Sequence, residues 1–557
     1  MAARHGRALA VASLVLCLVY ALVAVGGMLL LSPRVPYADP WRFYAHLLTT
    51  PWPVDVLTVD NGHPEILPNL LRLFELQALG GGQWLQILVG VLMLAGCCLL
   101  WALAWRGSDP SSGLKLPRTG WLLCGALMLL WFGNGRTLAH ANESVHAYLV
   151  IGCLFGGVLL AARPGRARLA LALLLGLLGT LSFGTGAAIF GALFIVLCLR
   201  RARWQALLAW LVATTVALAC YFTLPRTGGG AAALAVEPGW QASVLLRWLA
   251  APYLYAMGPF ADASLQDKLP TLARVASAPF ARLSLQWFGD ARQAVWPELG
   301  LGLAGAMALL ALSVRAWRQP CAWPRQERLA LAASWFAVGC GLLVAIARAD
   351  YFRQYPAQLY SGRYLVWSSL FWGGLLATAT LRLAARGRSR MAIGLPLLAG
   401  LFLLPSTCWM LLPARHAQVV ADRDALGVTT GVLDRSTEHG ENVLDEMVAA
   451  RPVLMQHRTA VFASRQASLL GTLAPAQAKP LPVRGMHLTA VDNAFPWPGT
   501  EVRFSYAVDR PGPRLLLVDR AGRVVGMAAP AGNTGVWLGS ARGTVESLSG
   551  LRVMAPW

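Results

Sequence analysis

Charged residues are scarce in this 557-residue chain, and their scarcity excludes an ordinary soluble protein. Only 13% of the residues are charged, 57% are hydrophobic and the mean hydropathy is +0.54, whereas about a quarter of the residues of a soluble domain are charged. Lysine occurs only as Lys115, Lys268 and Lys479, so arginine carries the net charge of +21. This composition predicts a polytopic membrane protein.

Cysteine patterns typical of disulfide bonds or zinc sites are also missing. The ten cysteines are isolated, apart from the adjacent Cys97 and Cys98, and most lie within or beside apolar segments. The basic excess does not indicate a nucleic-acid partner either. Its arginines form short clusters between apolar runs, as membrane topology requires, rather than one soluble face.

Long apolar runs dominate the sequence, and each run of about 20 residues is able to cross a hydrocarbon core of about 30 Å. The arginine clusters orient these runs, because basic residues collect on the cytoplasmic side. With every dense cluster inside, the sequence predicts about eleven transmembrane helices and a cytoplasmic N-terminus. The predicted spans are residues 8–31, 85–105, 121–132, 145–162, the two halves of 169–199, 206–224, 299–314, 329–347, 364–381 and 391–412.

Two apolar segments need a different interpretation. As a single helix, residues 169–199 would be roughly 46 Å long, too long for the bilayer, and arginines flank both ends. We therefore expect two short helices with an elbow at Ser182-Phe183-Gly184-Thr185-Gly186. Residues 244–260 are apolar, but one more crossing would put the next arginine cluster outside, so a re-entrant or interfacial helix is expected.

The predicted fold class is a polytopic α-helical membrane protein with a small α+β C-terminal domain. Residues 1–412 form the transmembrane domain, with a first outer loop at 32–84 and a long outer region at 225–298. Residues 413–557 form an outer soluble domain, helical over 414–473 and β-rich over 501–554. Alternation of Val502, Phe504, Tyr506 and Val508 predicts a strand, and Asp519-Arg520-Ala521-Gly522 predicts a turn. Without a catalytic motif, this domain is expected to be accessory or to cover a substrate.

Polar residues suited to binding or catalysis gather in four groups on the predicted outer side. The first group is in the opening loop, the second lies between the third and fourth helices, the third is the elbow, and the fourth joins the ninth and tenth helices. The candidates outside the elbow are Asp39, Trp41, Arg42, Asn61, His63, Glu65 and Arg72; Arg136, His140, Asn142, Glu143 and His146; and Arg348, Arg353, Tyr360, Arg363 and Tyr364.

Each group has a functional and a structural interpretation. A carboxylate at Asp39 would serve as a general base, or would simply cap an interfacial helix. The second group would share a helix face at a site, or would be ordinary loop polarity. The elbow glycines would admit a ligand or allow close helix packing. Arg348, Arg353 and Arg363 would bind a phosphate with their two-pronged guanidinium groups, or would reach lipid head groups.

The order of these parts resembles the GT-C superfamily of polytopic glycosyltransferases. More closely, the chain resembles a group of uncharacterised bacterial membrane proteins with an Asp-x-Trp segment, an Asn-Glu-His-Arg-type motif, a Ser-Phe-x-x-Gly elbow and a Ser-Arg-Tyr-like helix entry. The matching residues are Asp39-Pro40-Trp41, Asn61-Gly62-His63-Pro64-Glu65, Ser182-Phe183-Gly184-Thr185-Gly186 and Ser361-Gly362-Arg363-Tyr364. Gly62 stands where that group has Glu, and Pro64 where it has Arg.

The resemblance implies transfer of a sugar from a polyprenyl-phosphate donor to an acceptor at the outer face of a bacterial inner membrane, with a periplasmic C-terminal domain. Asp39, with His63 and Glu65, would be catalytic, and the outer arginines would hold the carrier phosphate. Alternatively, Asp39 would be a ligand of a divalent cation, Mg or Mn. The expected partners are the lipid-linked donor and membrane lipids, without nucleic acid.

Two other classes remain open at this stage. A lipid or polysaccharide transporter would use the same bundle, but it needs polar residues through the midplane of several helices, and few occur here. A non-catalytic assembly protein would present its C-terminal domain to a partner.

Overall fold

The computed structural model describes residues 2–105, 115–227, 237–261, 295–319, 323–436, 443–506, 514–531 and 535–556. The chain forms two compact units. The first contains Met1–Leu30, Leu57–Ile66 and Ile87–Ala414, and the second contains Leu31–Val56, Leu67–Gln86 and Arg415–Trp557.

Helices make up most of the described chain. In chain order they are α1 (Ala2–Leu31), α2 (Pro40–Thr49), α3 (Val54–Leu57), α4 (Ile66–Ala78), α5 (Trp84–Leu103), α6 (Lys115–Leu129), α7 (Gly135–Leu138), α8 (Ala141–Ala161), α9 (Arg166–Ser182) and α10 (Ala188–Leu199). They continue with α11 (Trp204–Thr223), α12 (Pro238–Ala261), α13 (Val295–Arg318), α14 (Arg325–Ala347), α15 (Ala349–Gln354), α16 (Leu365–Ala385), α17 (Ser389–Trp409), α18 (Leu411–Thr430) and α19 (Val443–His457).

Within the described residues, eight helical segments are long and apolar enough to cross a membrane. The prediction of a multi-pass helical membrane protein is thereby supported, but the number eleven is not confirmed. Three predicted spans appear as shorter helices, since α6 has 15 residues, α9 has 17 and α10 has 12. Breaking the 169–199 segment at the elbow accounts for two of these three short helices.

The first unit is a helix bundle with a tightly packed centre. Helices α8, α14 and α16 are mostly buried, whereas Ala217 is the one fully buried residue of α11. Gly374 shows how closely α14 and α16 approach, because a Cβ atom there would lie 2.3 Å from the carbonyl oxygen of Ala330. An exposed apolar outer layer around a packed centre is what a bundle in lipid requires.

The predicted elbow is present between α9 and α10. The backbone of Phe183 is extended, and a short 3₁₀ turn over Gly184–Ala187 leads into α10. A Cβ atom at Gly186 would lie 2.0 Å from the carbonyl oxygen of Gly179, so only glycine fits there. The elbow therefore folds α10 tightly back against the end of α9.

Helix α12 contains the segment predicted to be re-entrant or interfacial. Near its start, the Trp240 indole donates to the carbonyl of Ala349, just after α14, and Gly258 near its other end packs against Trp409 at the end of α17. The chain order of α14, α16 and α17 puts the C-terminal ends of α14 and α17 at one end of the bundle. Both ends of α12 thus contact the same end of the bundle, which favours an interfacial helix. Most of the predicted outer region 225–298 lies outside the described residues.

The second unit contains a seven-stranded antiparallel half-barrel sheet. Its strands are β1 (Lys479–Pro480), β2 (Arg484–Val491), β3 (Gly499–Ser505), β4 (Leu515–Val518), β5 (Val524–Pro530), β6 (Val536–Arg542) and β7 (Arg552–Ala555), in the order β1-β7-β4-β5-β6-β3-β2. The sheet begins before the predicted residue 501. Strand β2 was not predicted because it is a largely exposed edge strand without a buried alternating face.

The described part of this domain contains the predicted strand residues Val502 and Phe504 and the predicted Asp519–Gly522 turn. Val502 and Phe504 in β3 are buried on one face, as their alternation predicted, while Val508 lies outside the described residues. The Asp519–Gly522 turn joins β4 to β5, and Gly522 takes φ +80°. Strand β4 is buried on both faces, since Leu515 and Leu517 belong to one core cluster and Leu516 and Val518 to another.

Most of the first outer loop belongs to the second unit. The Thr459 hydroxyl donates to the carbonyl of Leu76, the amide of Ala460 donates to the carbonyl of Gly80 at 2.8 Å, and Arg42 forms an ion pair with Glu446. The sequence-based division assigned the whole loop 32–84 to the transmembrane domain. Hydrogen bonds and an ion pair between distant segments, which no local pattern reveals, hold the loop in this unit.

Candidate functional site

A tight turn at Asp60-Asn61-Gly62-His63 begins the candidate site in the first unit. The amide of His63 donates to the carbonyl of Asp60 at 2.8 Å, and Asn61 and Gly62 have φ values of +48° and +79°. Two consecutive positive φ values define a type I′ turn, which Asn-Gly adopts readily. Glycine at position 62 therefore has a conformational role, because a residue with a side chain would be strained there.

The turn is held against the end of α11. The Tyr221 hydroxyl donates to the carbonyl of Gly62 at 2.8 Å, and the amide of Val59 donates to the carbonyl of Pro225 at 2.7 Å. The Thr227 hydroxyl lies 3.0 Å from a carboxylate oxygen of Asp60. These bonds fix the position of His63, the last residue of the turn.

Three rings form a stack next to the turn. The Phe183 ring lies 4.1 Å from the His63 ring and 4.1 Å from the His146 ring, with interplanar angles of 14° and 3°. Two rings that are this close and nearly parallel to a third cannot share one of its faces, so the imidazoles cover opposite faces of Phe183. Trp367 on α16 extends the cluster, with its ring 6.0 Å from Phe183.

The stack joins residues from three of the predicted groups. His63 comes from the opening loop, His146 from the second turn of α8, and Phe183 from the elbow. A carboxylate oxygen of Glu65 lies 3.7 Å from Nδ1 of His146, and both side chains are more than 90% buried. The elbow therefore provides the ring on which the two histidines meet, in addition to its role in helix packing.

His63 has an unusual electrostatic environment. Desolvation lowers its pKa to about 4, with further lowering by the positive charge of Arg348 and by His146, while Glu65 and Asp60 act in the opposite direction. One edge of the residue still reaches solvent, but its Nδ1 is buried and has no hydrogen-bond partner among the described residues. His63 is therefore a neutral imidazole at neutral pH.

Arg348 follows α14 and contacts the same turn. Its guanidinium group donates to Oδ1 of Asn61 at 2.7 Å, although 287 positions separate the two residues. Within the described part of the chain, no carboxylate lies at ion-pair distance from Arg348. By contrast, Arg353 forms ion pairs with Glu237 and Asp350. Arg348 is thus the better candidate for binding an external anion.

The second predicted group forms its own ion-pair cluster. Nε of Arg136 lies 2.5 Å from Oε1 of Glu143, and Nδ1 of His140 lies 3.7 Å from the same oxygen. A Cβ atom at Gly362 would lie 3.2 Å from Cβ of Arg136, so the loop before α16 packs against this cluster. Asn142, one helical turn before His146 on α8, is buried.

The other residues of the fourth group have mainly internal partners. Arg363 donates to Gln358 at 3.4 Å and lies over the ring of Tyr364. The hydroxyl of Tyr360 is bonded to Arg247 at 2.9 Å and also to Glu298.

Several predicted residues belong to the second unit and are not part of this cluster. Asp39 precedes α2 without capping it through its side chain, is half exposed and lies 3.6 Å from Arg42. Trp41 is fully buried, and buried Arg72 donates to Asn69 at 2.5 Å. Nothing in these contacts tests the predicted role of Asp39 as a base, which stays a prediction.

Sequence reasoning missed an ionic pair inside the first unit. Nε of Arg247 on α12 lies 3.0 Å from Oε2 of Glu298 on α13, and both side chains are buried. The signal was present, because Arg247 is the single charged residue within the apolar segment 244–260. Tyr221 and Trp367, which support the turn and the ring stack, had no comparable signal.

The predicted divalent cation has no ligand set in the described residues, where no three His, Cys, Asp or Glu side chains gather closely enough to hold a metal ion. Comparisons with protein-family models, curated proteins and solved structures give no match.

Proposed function

We propose that the protein is a membrane glycosyltransferase that moves a sugar from a polyprenyl-phosphate donor to an acceptor hydroxyl. The observation that carries this proposal is the convergence of Glu65, His63 and His146 with Arg348 around one turn. A buried carboxylate beside two imidazoles, of which that of His63 is neutral, suits proton abstraction. Arg348, which has no carboxylate partner among the described residues, suits a phosphate.

The proposed reaction is a direct displacement at the anomeric carbon. A bond forms between that carbon and the acceptor oxygen, the bond to the carrier phosphate breaks, and the carboxylate base takes the acceptor proton. Negative charge grows on the departing polyprenyl phosphate, and Arg348 stabilises it. Inversion of configuration follows from a single displacement.

We further propose eleven crossings in a bacterial inner membrane, with the N-terminus in the cytoplasm and the turn at Asp60–His63 on the periplasmic side. The three helices shorter than a full span, α6, α9 and α10, supply the crossings beyond the eight long ones. A donor with a long isoprenoid tail requires such a location, because its tail stays in lipid while its sugar remains in water.

Two matched variants test which carboxylate acts as the base. The geometry favours Glu65, so Glu65→Gln is expected to lower transfer by roughly 10²–10⁴-fold, the usual contribution of a general base. Asp39→Asn is expected to have a small effect. Strong loss in Asp39→Asn with full activity in Glu65→Gln would return the assignment to Asp39.

The proposed transfer reaction is tested by an experiment that does not require the sugar to be known. Mass spectrometry compares envelope glycans and lipid-linked sugars between a strain lacking the protein and one carrying it. We expect a lipid-linked sugar to accumulate and a glycan to lose that sugar in the deletion strain. Wild-type protein and the exposed control variant Arg318→Ala should restore the glycan, whereas Arg348→Ala should not. Identical glycans and lipid-linked sugars in both strains would refute the proposal.

A further inference from the structure

A groove at the opposite end of the first unit combines apolar and basic walls. It has a volume of about 360 Å³, and its floor is formed by leucines and a glycine from α5 and α8. Three arginines line its rim. The lining residues are Leu100, Gly156, Leu159, Leu160, Arg163, Arg168 and Arg325. A volume more than ten times that of a water molecule, about 30 Å³, leaves room for a head group and the start of a chain.

Two more arginines strengthen the basic rim. Arg200 donates to the carbonyl of Arg163 at 2.8 Å, and Arg328 donates to the carbonyl of Ala162 at 3.2 Å. Arg325 donates to the carbonyls of Leu103 and Ala104 at the end of α5. Five guanidinium groups therefore meet where α5, α8 and α10 end and α14 begins.

Three of the rim arginines lack an acidic partner in the part of the chain that the structure describes. Within the described residues, no carboxylate lies at ion-pair distance from Arg163, Arg168 or Arg200, and Nε of Arg200 is buried without a hydrogen-bond partner. Glu327 on α14 is instead paired with Arg382. Helix C-terminal carbonyls offset part of the charge. A guanidinium group has five N–H donors, and among the described residues Arg168 and Arg200 each donate to one carbonyl oxygen.

We propose that this groove is a binding site for an anionic phospholipid, with its phosphate between Arg163, Arg168 and Arg200 and the start of an acyl chain on Leu159 and Leu160. Guanidinium groups match phosphate oxygens in two-pronged geometry. An apolar floor that opens from a charged rim matches a lipid rather than a free ion. Basic pockets between membrane helices on the cytoplasmic side hold anionic head groups in the same way. This inference is independent of the proposed transferase activity.

The test uses the full-length purified protein and native mass spectrometry with defined lipids. Wild-type protein is expected to retain phosphatidylglycerol at least tenfold more strongly than phosphatidylcholine. The double variant Arg163→Gln/Arg168→Gln should lose this preference by roughly ten- to thirtyfold. The matched control Arg386→Gln/Arg388→Gln removes two exposed arginines at the same end of the bundle, away from the groove lining, and should keep the preference.

A second variant distinguishes loss of the lipid site from a folding defect in the double variant. Leu160→Trp fills the groove without removing charge, and it should also release phosphatidylglycerol. Retention of phosphatidylglycerol by either groove variant at the wild-type level, or equal loss in the arginine control, would overturn the proposal. Displacement of the bound lipid by soluble glycerol phosphate at equal concentration would likewise show that the groove binds a free phosphate rather than a lipid.

Discussion

Replacement of Gly184 by alanine should damage the ring stack while leaving the bundle folded. A Cβ atom at this position would lie 2.8 Å from Nδ1 of His63 and 3.0 Å from the carbonyl oxygen of Gly62. Van der Waals contact begins near 3.5 Å, so Nδ1 of His63 must move by about 0.7 Å and the carbonyl oxygen of Gly62 by about 0.5 Å. The ring of His63 is stacked on Phe183 and the carbonyl of Gly62 is bonded to Tyr221, so either movement breaks an existing contact.

The expected cost of this overpacking is about 1–3 kcal/mol of the free energy of unfolding. Because misplacement of catalytic groups by about 1 Å costs roughly 100-fold in rate, restoration of the glycan should fall by about that factor. Thermal unfolding in detergent and the glycan assay above measure the two effects separately.

The matched control for this prediction is Gly191→Ala. A Cβ atom at Gly191 in α10 would meet nothing within 4 Å, so the change should stabilise the helix by about 0.5–1 kcal/mol and leave transfer unchanged. Wild-type transfer and wild-type melting temperature in Gly184→Ala would refute the placement of His63 beside the elbow.

Three further predictions concern the turn, the sheet and pH. Gly62→Ala should lower the free energy of unfolding by about 1–2 kcal/mol, because φ is +79° there. The added Cβ atom would lie 4.0 Å from its nearest neighbour, so the cost comes from the backbone and not from a clash. An unchanged melting temperature would argue against the type I′ turn. Leu517→Ala, at a fully buried position in β4, should cost about 2–5 kcal/mol in chemical unfolding, and a loss below 1 kcal/mol would contradict its core position. The folded-state pKa of His63 is about 4, below its usual 6.5, so the unfolded chain binds a proton first as pH falls. Stability should therefore decrease between pH 6.5 and 4, and His63→Gln should show a shallower decrease in pH-dependent melting than the wild type.

Local patterns in the sequence predicted the features that depend on neighbouring residues. The length of the apolar runs indicated the membrane class, since crossing a bilayer is a property of one segment at a time. Glycine and turn chemistry likewise indicated the elbow after Ser182 and the Asp519–Gly522 turn, because backbone angles are set locally. The lone charge of Arg247 within an apolar segment was a comparable local signal, but no buried partner was predicted from it.

The residues of the site were mostly named from the sequence, but their grouping was not. The chain pattern placed Asp39 and His63 in one loop, whereas the structure assigns Asp39 to the unit that contains the β-sheet and His63 to the helix bundle. The sequence likewise did not show that Gly62 takes a positive φ in a tight turn. Such assignments depend on contacts across hundreds of residues, which no periodicity encodes.

The sequence by itself determined that this chain is a basic, arginine-rich, multi-pass membrane protein with a mixed C-terminal domain, because hydrophobic length and charge position act segment by segment. Only the tertiary structure decided that the rings of His63 and His146 enclose Phe183 and that Arg348 reaches Asn61. The physical reason is that side-chain stacking and guanidinium bonding depend on which helices become neighbours, and packing of the whole bundle sets that choice.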